Sequence, residues 1–180
     1  MREMRVSRLL VCGIVLSIFS SSPAVSAIDL MADLNRIIAG IRQFDANSAT
    51  SSSVATMADV KQIFANNASI LREIGSANAA FKRDLNSAKR MIPTRDTKDT
   101  PAFKTLMDLS KGYEVWVAYQ NKNQAMAQKC INNARGSFNS FSRCSISDLP
   151  KTTQNEIIGR QKLTEAWNAW RTWQVKYGYA

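Results

Sequence analysis

The sequence predicts an all-α fold: an antiparallel bundle of four to five helices, pinned by one disulfide and preceded by a cleaved signal peptide. Three observations predict it. Apolar residues recur at steps of three and four along most of the chain, and no alternating strand pattern of useful length appears. The N-terminal residues show the charged, greasy and small-residue zones of a secretory leader. Beyond that leader only two cysteines remain, Cys130 and Cys144, with no CxxC spacing between them.

The leader comes first. Arg2, Arg5 and Arg8 precede an apolar run from Leu9 to Phe19, which is too short to cross a bilayer comfortably as a helix. Small residues follow from Ser20 to Ala27, placing Val25 and Ala27 three and one residues before the expected cut. Cleavage after Ala27 divides the chain into a signal peptide, 1–27, and a single domain, 28–180. The 180 residues hold 24 Lys+Arg and 14 Asp+Glu; the leader removes three Arg, one Glu and Cys12. The remaining 153 residues therefore carry 21 basic and 13 acidic side chains, a formal charge of +8.

The first predicted helix has Leu30, Leu34, Ile37, Ile41 and Phe44 on one seam, widened by Met31 and Ile38. Asp45 to Thr56 loses this period and reads as a loop. Thr56 and Asp59 then form a short-armed version of the capping box. Val60, Ile63, Phe64, Ile70, Leu71 and Ile74 share the next face, with Asn67 inside the stripe. Phe81, Leu85, Ala88 and Ile92 continue it past Gly75, as one long helix or two collinear ones.

Thr100-Pro101 is a start signal, with Thr as cap and Pro in the first turn. Phe103, Leu106, Tyr113, Trp116, Val117, Ile131 and Ala134 carry this helix to a stop at Gly136. Ser137 to Asp148 reads as a connector. Ser147 or Asp148 then caps a last helix bearing Pro150 in its first turn, followed by Ile157, Leu163 and the tryptophans. A Cys130–Cys144 disulfide would staple this hairpin. Closing a loop of about 15 residues stabilises a fold by about 3 kcal/mol through the lost entropy of the unfolded chain.

Function is bounded mostly by exclusion. There is no histidine, which removes Ser-His-Asp and Cys-His nucleophile pairs, histidine general bases and His-ligated metals. HExxH, GxSxG and phosphate-cradling glycine motifs are missing from the sequence as well. Glu114, at the edge of an aromatic helix face, is the best single acid, and more simply a rim carboxylate. Asn67 reads as a polar residue that fixes helix register. It also heads an Asn67-Ala68-Ser69 glycosylation sequon.

The aromatic residues give the one positive signal. Trp167, Trp170, Trp173 and Tyr177 fall with Leu163 in an arc of about 120° at 100° per residue. Such a stripe is ordinarily core, here facing Tyr113 and Trp116. It also suits an interface, where Trp and Tyr act as anchors. The basic balance is weaker. From Gly112 onward there are nine basic and four acidic residues, but Arg160, Lys162, Arg171 and Lys176 point to different sides of the last helix.

The sequence thus predicts an exported, non-enzymatic protein, periplasmic or secreted, that recognises a macromolecular partner. A protein partner is expected, in an envelope-adaptor, secretion-accessory or toxin-inhibitor role, with Trp167, Trp170, Trp173 and Tyr177 as the contact. Two other readings stay open. One is a binder of an anionic envelope surface, lipid or cell-wall polymer. The other is a small all-α enzyme that holds an anionic metabolite with Arg and Lys. No nucleic acid, metal or cofactor is expected.

Overall fold

A computed structural model describes residues 27–49, 54–91 and 99–176. The expected signal peptide lies outside the described residues apart from Ala27, and so does Tyr177. All regular structure among the described residues is helical: α1 (Ala27–Ala49), α2 (Met57–Met91), α3 (Asp99–Asn133) and α4 (Phe138–Lys176). Consecutive helices run antiparallel. Asn47 near the end of α1 bonds to Ile63 and Asn67 near the start of α2, and Asn123 of α3 bonds to Thr152 and Asn155 of α4. Among the described residues no helix is long and apolar enough to cross a membrane.

The apolar seams read from the sequence become the core. Leu30, Leu34, Ile37 and Phe44 of α1 meet Ile70, Leu71, Ile74, Phe81 and Leu85 of α2, with Phe103, Leu109, Tyr113 and Trp116 of α3 beside them. A second, smaller cluster closes the far end: Met57 and Val60, Cys130, Ile131 and Ala134, and Phe141. It contains no residue of α1.

The start of α2 shows the expected capping box. The Thr56 N–H and hydroxyl both donate to Asp59 Oδ2, at 3.1 and 2.7 Å, and the Asp59 N–H donates back to Thr56 Oγ1 at 3.2 Å. The helix then runs unbroken through Gly75, where an added Cβ would meet nothing within 4 Å. The α3 helix begins at Asp99, so Thr100 stands just inside the helix it was expected to cap. It ends where Arg135 and Gly136 take positive φ, and the Ser137 N–H donates to the Ala134 carbonyl at 2.8 Å.

Two expectations are corrected. Residues 45–49, read as loop, extend α1, because Asp45 and Asn47 find partners on α4 and α2 that hold the last turn in place. The expected connector 137–148 is instead the first three turns of α4. Ser137 caps them through Ser140 and Phe141, while Phe141 enters the smaller cluster. Pro150 therefore lies inside a helix, where it removes the donor for the Ile146 carbonyl. Ile146 is on the solvent side, so water can take up that carbonyl.

Close approach of α3 and α4 depends on two glycines. A Cβ on Gly112 would stand 2.9 Å from Ala166 Cβ, and one on Gly159 would stand 3.2 Å from Tyr119 Cβ. The same hairpin is tied at its closed end by Cys130 and Cys144, whose sulfurs are at disulfide distance with Cα atoms 5.5 Å apart.

Candidate functional site

Three of the four tryptophans are in the core and the fourth, Trp167, packs against it. Trp170 and Trp173 are 1% and 5% exposed. Their rings stack at 5.0 Å. Trp167 is half-buried and meets Tyr113 edge to face at 6.3 Å. Trp116 is buried and takes Phe44 edge-on at 5.4 Å. Burial pushes the Tyr113 phenol well above its ordinary value, and its hydroxyl has no hydrogen-bond partner among the described residues. The stripe thus packs against Tyr113 and the α3 core instead of presenting a flat outer platform.

Between the two apolar clusters lies a polar layer drawn from all four helices. On each helix it falls between residues of the main core and residues nearer the far end. Asn47 Nδ2 donates to Asn67 Oδ1 at 2.6 Å. Gln120 donates to Glu156, and Arg160 donates to both Glu156 and Asp45. Asn155 Nδ2 donates to Asn123 Oδ1 at 2.9 Å. Asn67 is buried, so the amide of the sequon points into the bundle rather than towards solvent.

This layer is where a small cationic enzyme site would be sought. Burial pulls the Arg160 guanidinium down, but the hydrogen bond with Asp45 and the charges of Glu156 and Asp45 outweigh it and hold it above its ordinary range. One cation against two carboxylates gives this cluster the wrong sign for an anionic metabolite. Glu114 stands elsewhere, on the surface, 2.7 Å from Lys82 Nζ.

A different surface stands out. Ile146, Leu149 and Ile157 are 66%, 58% and 54% exposed on the outer side of α4. At 100° per residue they fall, with Pro150, within about 100° of one another. Beside this stripe a shallow open groove of about 720 Å³ runs between α3 and α4, lined by Lys122, Met126, Pro150, Lys151, Gln154 and Asn155. Lys129 stands two turns along α3 from Lys122, and Arg143 precedes Cys144 on α4; all four cations are exposed.

Few carboxylates lie near this stripe in the sequence. Between Val115 and Ile158 the chain has only Asp148 and Glu156 as acids. Asp148 Oδ2 lies 3.6 Å from Cys130 Sγ, and Glu156 is engaged by Gln120 and Arg160. Cys130, Cys144 and Asp148 bring ligand-type atoms within 4.8 Å of one another. The two sulfurs face each other at bonding distance, which occupies them as donors.

This face was missed in the sequence because Ile146 and Leu149 fell in or beside the segment read as a connector. The signal that reveals it is the wheel position shared by Ile146, Pro150 and Ile157 once 138–176 is taken as one helix. Comparison with protein-family models, with curated proteins and with solved structures finds no match for this chain.

Proposed function

We propose that this protein works by binding rather than by chemistry: an exported helical bundle that docks a macromolecular partner through the outer face of the α3–α4 hairpin. The observation that carries this reading is the stripe of Ile146, Leu149 and Ile157, exposed on a bundle that buries Trp116, Trp170 and Trp173. Apolar side chains grouped on a surface keep an unfavourable contact with water until something covers them. The proposed contact is α4 residues 146–157 and not Trp167, Trp170 and Trp173, because Trp170 and Trp173 are buried. Export through a leader ending at Ala27 fits the setting of an envelope or secreted adaptor.

The test compares immobilised wild-type protein with an I146S/L149S/I157S variant, both exposed to the cell-envelope fraction. Retention of a defined component by the wild type and its loss in the variant is expected. Equal retention by both would place the contact elsewhere.

A further inference from the structure

Resting on that binding reading, we propose that the outer face of the α3–α4 hairpin seats on the surface of an anionic phospholipid bilayer. Three features point to this occupant. The apolar residues stand on the outward side of α4, within about 100° of one another around its axis. From Ile146 to Ile157 they extend along about 16 Å of α4, using 1.5 Å per residue. The neighbouring groove is shallow and open, so it offers a second helix or peptide little enclosure.

Charge supplies the second feature. Lys122 and Lys151 are exposed where they line the groove, and Lys129 and Arg143 are exposed elsewhere on the same two helices. Among the described residues none of the four forms an ion pair, and the Lys122 ammonium lies over the Tyr119 ring at 4.4 Å. Of the two local carboxylates, Glu156 is paired with Arg160, and Asp148 Oδ2 lies 3.6 Å from the Cys130 sulfur. Exposed cations outside any ion pair are complementary to phosphate-bearing headgroups.

The third feature is the order of the two chemistries. Lysine and arginine have long apolar stems with charged tips, so they reach headgroups while shorter aliphatic side chains enter the acyl boundary. Such a helix lies in the interface plane. The α4 helix would rest on the bilayer along residues 143–157, with the bundle standing above it.

The experiment is vesicle flotation of the full protein as the cell produces it, with 3:1 phosphatidylcholine:phosphatidylglycerol vesicles against phosphatidylcholine alone. The comparison variants are I146S/L149S/I157S and K122E/K129E/K151E. They share the wild-type N-terminus, so anything the leader region contributes cancels. The wild type is expected to partition about tenfold more strongly onto the anionic vesicles and to release in high salt. Each variant is expected to lose most of that gain. If one variant fails to fold, the other still decides the matter, since one removes insertion and the other attraction. Equal binding to both vesicles, or undiminished anionic binding in the folded variants, would overturn the proposal. Absence of vesicle binding, with an envelope protein still retained through Ile146, Leu149 and Ile157, would overturn the lipid surface and leave the binding reading standing. Failure of both would remove both.

Discussion

Trp170 and Trp173, one turn apart on α4, stack with their ring centroids 5.0 Å apart and their planes 8° from parallel. Both rings are interior, so they act on stability before anything else. Trp170→Ala is expected to cost about 3–5 kcal/mol in urea denaturation, the usual range for emptying a buried aromatic site. The exposed I146S/L149S/I157S variant should shift stability by only a few tenths of a kcal/mol per site. A reversed ranking would mean that the tryptophans, and not the α4 stripe, form the free surface.

Two glycines should respond in opposite directions. Gly112→Ala drives a Cβ against Ala166 Cβ and, at 3.4 Å, towards the Lys162 carbonyl of α4. Backbone has to move, so a loss of about 1–3 kcal/mol is expected. Gly75→Ala meets open space inside α2 and should gain about 0.5–1 kcal/mol from helix propensity. Thermal denaturation of the two variants side by side reads both signs.

Cys130 and Cys144 close a short loop at the tip of the α3–α4 hairpin. Replacing both by Ser is expected to lower stability by about 3 kcal/mol, because the unfolded chain regains the entropy of that loop. Intact mass gives an independent check: the oxidised protein should weigh about two daltons less than its reduced form. A mass unchanged by reductant would show two free thiols.

The Tyr113 phenol makes stability depend on alkaline pH. Its folded-state value lies above the ordinary 10.0, so the unfolded chain ionises first. The stabilisation from this group is complete below pH 10 and falls as pH rises towards the folded value. Between pH 10 and 11 that loss is about 1 kcal/mol for one group. Tyr113→Phe should remove this part of the alkaline decline, measured by denaturation at each pH.

Much of the fold was legible because burial follows period. Leu30, Leu34, Ile37 and Phe44, or Phe81, Leu85 and Ala88, mark their buried faces by spacing alone. Thr56 and Asp59 mark a helix start by side-chain chemistry that needs no tertiary context. The misread segments are those where tertiary contacts decide. Asp45 and Asn47 stay helical through partners 115 and 20 residues away. Residues 138–149 stay helical despite Pro150 because Phe141 and Cys144 tie them to α3. The candidate face inherited that error. Ile146 and Leu149 have no visible stripe until their segment is helical, and Lys122 and Lys151 do not line one groove until the hairpin closes.

The most direct test of docking through this face is site-specific photocrosslinking in the producing cell. A benzophenone amino acid is placed singly at positions 146, 149 and 157, and at positions 83 and 168 as exposed controls. Binding through the α3–α4 hairpin predicts adducts to an envelope component, protein or lipid, from 146, 149 and 157 and none from 83 or 168. Adducts from the control positions at equal yield, or none from the three α4 positions, would contradict it.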